Sequence, residues 1–94
     1  MVVLQIEHPV PDFFGWKKAF DSDPLNRKQC GVRSHRIFRP LQEANHVIIE
    51  LDFDNYSEAE AMQAALQKLW NNVSGVIVMN PQSRILDTVE TMDY

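Results

Sequence analysis

Two histidines, two carboxylates and an arginine (His35, His46, Glu50, Asp52 and Arg33) are the side chains in this sequence best suited to move protons or hold an anion. An imidazole beside a carboxylate is a usable acid–base pair, because the carboxylate fixes the tautomer and favours the protonated ring. His35 and Glu50 meet that description if their strands pair with these two residues opposite each other, and they are the candidate catalytic residues. Arg33, His46 and Asp52 share the same sheet face in that register. With Trp16 and Arg27 they are the candidate ligand-binding residues. The same cluster also suits a polar, partly solvated dimer face with cross-strand ion pairs, since paired charges on sheets are common. No metal is expected. His46 and Glu50 lie four residues apart on one strand face, about 13 Å at strand rise, too far to share one ion. His35 with Glu50 supplies only two protein ligands.

Phe13, Trp16 and Phe20 recur at helical spacing. Such a stripe lines either a pocket for an aromatic molecule or plain core. Arg27 and Lys28, with Arg33 and Arg36 after Gly31, form a local basic cluster able to receive a carboxylate or phosphate, or simply a solvated loop. A ligand site built from these groups is an apolar cavity between the first helix and the sheet, with Trp16 near it and Arg27 or Arg33 at its mouth. Cys30 has no histidine-and-acid signature around it. No phosphate-binding P-loop, G-x-G-x-x-G or C-x-x-C occurs, so nucleotide and thioredoxin-type roles lack support.

The elements that must position these groups belong to a single expected domain, residues 1–94. Hydrophobic residues make up 45% and charged residues 23% of the 94, which is globular composition. The net charge of −4 and a pI near 5.2 argue against nucleic acid and anionic membrane as partners. The apolar runs are a few residues long, against ~20 for a spanning helix, and no basic start precedes a long one. The lone Cys30 cannot close a disulfide within the chain. The expectation is a soluble, cytoplasmic protein.

Val2, Leu4 and Ile6 alternate with Gln5 and Glu7, the period-two pattern of a half-buried strand over residues 1–8. Pro11 suits the first turn of a helix over residues 12–22, with Asp12 favoured by the dipole, and Pro24 stops it. Residues 32–40 read as a second strand, and residues 46–54 as a third with Val47, Ile49, Leu51 and Phe53 on one face. Ser57 and Glu60 form an S-x-x-E capping box for a helix running to about Trp70, with Ala59, Met62, Leu66 and Leu69 inward. Residues 73–79 are rich in β-branched side chains, but Gly75 and the nearness of the next strand favour a short helical turn. Residues 84–90 read as the last strand.

The order β-α-β-β-α-β is the ferredoxin-like arrangement of the α+β class. Right-handed crossovers place both helices on one face of a four-stranded antiparallel sheet. In the central hairpin, setting Arg39 opposite His46 brings Ile37 to Ile48, His35 to Glu50 and Arg33 to Asp52. Two opposite-charge pairs then share a face, each worth ~0.2–1 kcal/mol, and Arg36 falls on the helix side. An RNA-binding domain of this topology would carry stacking aromatics and basic residues on the open face; Glu50 and Asp52 stand there instead.

The order of elements, the Pro11-Asp12-Phe13…Trp16-Lys17…Phe20-Asp21 helix and the Asp52-Phe53-Asp54…Ser57…Glu60-Ala61 crossover resemble the dimeric α/β-barrel superfamily. More narrowly, they resemble its small stand-alone members, cyclase-like or near the antibiotic-biosynthesis monooxygenases. The resemblance covers nearly the whole chain and implies a homodimer in which two sheets pack face to face. It further implies a small-molecule ligand, aromatic or polyketide-like, handled without a bound cofactor. The Asn, Trp and His set of the haem-degrading members has no counterpart here at matching positions. The alternative to an enzyme is a non-enzymatic, small-molecule-binding or stress-associated dimer. The open sheet face, mixing Val3, Ile37 and Ile48 with Gln5, His35, Glu50 and Arg33, is the expected dimer interface.

Overall fold

An alternating strand must bury one face, and the helices that follow each outer crossover supply the cover. In the computed structural model this gives β1 (Val2–Pro9), α1 (Phe13–Asp21), β2 (Ser34–Phe38), β3 (His46–Phe53), α2 (Tyr56–Val73) and β4 (Gln82–Asp87). The structure describes residues 1–73 and 80–94; the helical turn expected over residues 73–79 lies, past Val73, outside the described residues. The sheet order is β2-β3-β1-β4, and every neighbouring pair is antiparallel, as in the ferredoxin-like fold.

Leu4 faces Leu51 and Ile6 faces Ile49 across β1 and β3, and Val47 and Phe53 complete the buried row. Onto it α2 lays Ala59, Met62 and Trp70, while α1 contributes Trp16 with Phe13 and Phe20 partly buried. Phe53, Leu4 and Met62 are the largest apolar side chains wholly removed from water.

The helix starts differ from expectation by a residue or two, for a common reason. Asp12 is the N-cap of α1: its backbone is extended, and its carboxylate accepts from the Gly15 N–H at 2.8 Å. Pro11 therefore precedes the cap rather than opening the first turn. In α2 the Asn55 side-chain oxygen accepts from the Glu58 N–H at 2.9 Å, and the Ser57 hydroxyl donates to that same oxygen. The S-x-x-E box is not formed, and Glu60 instead accepts from the Tyr56 hydroxyl at 3.0 Å. Asn caps a helix as well as Ser does, and Asn55 comes first in the chain.

The β2–β3 register is offset by one residue from the expected pairing. Ser34 lies opposite Asp52, His35 opposite Leu51, Arg36 opposite Glu50, Ile37 opposite Ile49 and Phe38 opposite Ile48. Because side chains alternate, this offset moves all of β2 to the other face. Ile37 joins the core instead of the open face, and Arg36 leaves the helix side for the open face, where Glu50 and Asp52 receive it. The expected His35–Glu50 and Arg33–Asp52 side-chain pairs do not form.

The caps give a direct stability test. Asn55→Ala is expected to cost about 1 kcal/mol in urea unfolding at fixed protein concentration, and Ser57→Ala only a few tenths. Equal losses at the two positions would restore Ser57 as the cap.

Candidate functional site beneath the first helix

The aromatic stripe of α1 sets the geometry. Trp16 and Phe20 stack at 5.2 Å between ring centroids, and Phe13 follows at 5.9 Å from Trp16. Side chains of this size hold the helix backbone away from the sheet. After Ser22 the chain reverses through Asp23 and Asn26, both in the left-handed region, which short polar side chains tolerate. The Asp23 carboxylate accepts from the Arg27 N–H at 2.9 Å and starts one helical turn. Gly31, at φ 98°, ends that turn: the Val32 N–H reaches the Arg27 carbonyl and the Gly31 N–H the Lys28 carbonyl, the bond pair of a left-handed helix stop. The Glu58 carboxylate occupies the place a Gly31 side chain would take.

This loop folds Leu25 onto the core and carries Arg27 back across α1. The Arg27 guanidinium lies 3.8 Å above the Phe20 ring, donates to the Phe20 carbonyl at 2.9 Å and stands 3.5 Å from Asp23. Beneath it is a cavity of about 200 Å³. Trp16 and Phe20 form one wall, Ile49 and Leu51 of β3 the floor, Met62 and Leu66 of α2 the far wall, and Leu25 the near end. Asp23 and Arg27 are charged groups at its edge, and both also border a groove running past Lys28 and Gly31 to Arg33 and His35.

The candidate residues thus separate into two groups. Trp16, Arg27 and His35 lie on the helix side of the sheet. The His35 ring stands edge-on to Phe20 at 5.1 Å, and its pKa is lowered by burial first and then by the cations Arg27 and Lys17. Arg33 borders the groove but not the cavity, and its guanidinium pairs with Asp54. Glu50, Asp52 and His46 are on the opposite face. Glu50 therefore cannot act on His35; it accepts from Arg36 at 3.0 Å and from Gln5 at 3.2 Å. Arg36 grips both oxygens of the nearly buried Asp52 at 2.7 and 2.8 Å and holds its carboxyl below the usual range, with Ser34 adding a hydrogen bond. Arg84 donates to Gln5 at 2.8 Å, so one hydrogen-bonded chain crosses all four strands. His46 pairs with Glu7 at 2.9 Å. Among the described residues no three His, Cys, Asp or Glu side chains come together as metal ligands, and no helix is long and apolar enough to cross a membrane.

His8 was not singled out by its neighbours in sequence, yet it is 2% exposed. Its position after Val2, Leu4 and Ile6 in the alternation was the available signal. The ring meets the Trp16 edge at 6.0 Å, and Nδ1 lies 3.0 Å from the Pro9 carbonyl, a distance at which the protonated nitrogen donates. Burial is the main cause of its lowered pKa, opposed by the Pro9 carbonyl and assisted by His46. The unfolded chain then takes up a proton near pH 6.5, before the folded chain does. This contribution to stability is complete above that pH and is lost as pH falls toward the folded value. The urea midpoint is expected to drop between pH 7 and pH 5, and to drop less in His8→Phe; an equal drop would remove His8 as the cause.

No family model matches the sequence, and no curated protein matches it. Solved structures do. A NIPSNAP domain protein from Burkholderia xenovorans superposes with TM-score 0.67 at 16% identity, over 99% of this chain and 100% of that one. An antibiotic biosynthesis monooxygenase superposes with TM-score 0.65 at 11% identity, over 96% and 100%. A dimeric ferredoxin-like protein from an uncultured marine organism gives TM-score 0.61 at 10% identity, over the full length of both. The chain therefore has the ferredoxin-like fold shared by NIPSNAP and antibiotic-biosynthesis-monooxygenase structures, the fold implied by its resemblance to the dimeric α/β-barrel proteins.

Proposed function

We propose that the protein is a homodimer that takes up a small aromatic or polyketide-like molecule beneath α1 and acts on it without a bound cofactor, in a monooxygenase- or cyclase-like reaction. The observation that carries this reading is the apolar cavity of about 200 Å³ walled by Trp16, Phe20, Leu51 and Met62. Walls so apolar favour a flat apolar guest. The reaction class follows the printed name of the monooxygenase neighbour. His35, whose pKa is lowered by partial desolvation and by the cations Arg27 and Lys17, can accept the proton of an acidic phenol, and it borders the groove next to the cavity. Glu50 has no part in this step. A second reading, binding without turnover, rests on the same cavity and needs no proton acceptor.

Turnover separates the two. Dioxygen uptake with naphthoquinol or anthrone-type substrates is expected for the native chain, and His35→Ala is expected to lower its rate about a hundredfold or more. Glu50→Gln should leave it nearly unchanged. Tight binding with neither dioxygen uptake nor any chemical change in the bound substrate selects the binding role, and uptake that survives His35→Ala removes His35 as the base.

The dimer is supported by a sheet face that no helix among the described residues covers and by the dimeric neighbour. That face carries Phe38 and Leu86, 45% and 36% exposed, with Val3 and Ile48, around the polar chain from Arg84 to Ser34. A two-fold axis lets one such patch cover its own copy. At ~25 cal/mol per Å² of apolar area, an interface above ~1,200 Å² would add to the small core of a chain this size. Sedimentation equilibrium at micromolar concentration should give twice 10.9 kDa. The monomer mass would overturn the dimer.

A further inference from the structure

The cavity and the groove beside it share a boundary. Asp23 and Arg27 line both, one opening onto apolar walls, the other onto Lys28, Arg33 and His35. The junction is short, because the Arg27 guanidinium lies 3.8 Å from the centroid of Phe20, itself a wall of the cavity. An apolar guest under Phe20 therefore has a cation within one ring's reach of its edge.

The charges along the groove are unequally spent. At the far end Arg33 meets two carboxylates, Asp54 paired with it and Glu58 against Gly31, so that end carries excess negative charge. Lys17, which faces His35, is held by Asp21 at 2.7 Å. At the near end Arg27 and Lys28 oppose only Asp23, and Lys28 forms no ion pair among the described residues. Arg27 uses one nitrogen on the Phe20 carbonyl and Asp23, which leaves the rest of its fork for another acceptor. The near end is thus left with one positive charge in surplus beside the mouth of the apolar cavity, while the far end is net negative.

We propose that cavity and groove form one amphipathic site for an aromatic monocarboxylate, its ring beneath α1 and its carboxylate between Arg27 and Lys28. This rests on the proposed cavity-binding role and adds the class of molecule bound. A single surplus charge matches a monoanion better than a dianionic phosphate. An anion seated there also offsets the field of Arg27 and Lys17 on His35, adding to the opposition that Asp21 and Asp23 already supply, and raises the affinity of that imidazole for a proton.

Calorimetric titration of the full chain with 2-naphthoate and with its neutral analogue 2-naphthamide tests the assignment. The acid is expected to bind roughly tenfold more tightly than the amide, the worth of one charge-assisted hydrogen-bond pair. The advantage should shrink as salt is raised and should narrow in Lys28→Gln. Lys68→Gln, on the exposed side of α2, should keep it. The His35 ring resonances should titrate at higher pH with naphthoate bound than with naphthamide bound. Equal affinity for acid and amide, or an advantage untouched by Lys28→Gln, overturns the carboxylate site while leaving the cavity as a binding site. Failure of both probes to bind overturns the cavity reading itself, and this inference with it.

Discussion

Arg36 sits between Glu50 and Asp52, and the period-two alternation of the strands makes that contact decide the rest. With Arg36 on the open face, its neighbours His35 and Ile37 must point to the helices. Ile37 then extends the apolar row of β3, and His35 comes to rest against Phe20. Asp52 can remain almost wholly out of water only because a guanidinium and a hydroxyl satisfy it; a buried carboxylate without such partners would cost several kcal/mol. The polar chain from Arg84 to Ser34 keeps the open face ordered, while the helix face remains free to be apolar.

On that apolar side, the space beneath α1 is a consequence of side-chain size. Trp16 and Phe20 stand the helix off the sheet, and the loop after it bridges the gap rather than filling it. Three consecutive devices hold the loop: the left-handed Asp23 and Asn26, the Asp23 cap on Arg27, and the Gly31 stop. A residue with a Cβ at position 31 would meet both an unfavourable φ and the Glu58 carboxylate. The mouth residues are thus positioned by backbone geometry and not only by their own contacts.

The elements were readable in the sequence wherever one face had to be buried. Val47, Ile49, Leu51 and Phe53 specify β3 and its inward side without help, and the aromatic stripe specifies α1. β2 was different. Its five residues contain only Ile37 and Phe38 as apolar groups, one on each face, so alternation alone cannot say which side is inward. Charge pairing was then asked to choose, but both registers pair arginines with carboxylates, merely different arginines. The burial of Ile37 against Ile49 distinguishes them. Trp16 and Arg27, both named from the sequence, line the cavity because α1 carries the one and the loop it feeds carries the other. His8 was hidden by its type: a polar residue at an inward position is read as the end of a strand, when here it extends the core.

The placement of β2 at the margin of the sheet has a bearing on solubility. An outermost strand displays unpaired backbone donors and acceptors, and a long apolar one would recruit strands from other molecules into fibrous stacks. Here the margin is only five residues long, is flanked by Arg33 and Arg39 with Arg36 within it, and runs into Pro40, which has no N–H to offer. Arg33 and Arg36 are held by carboxylates of their own chain, so it is the shortness of the strand and Pro40 that leave little to pair with. Lateral growth is thereby discouraged at this edge.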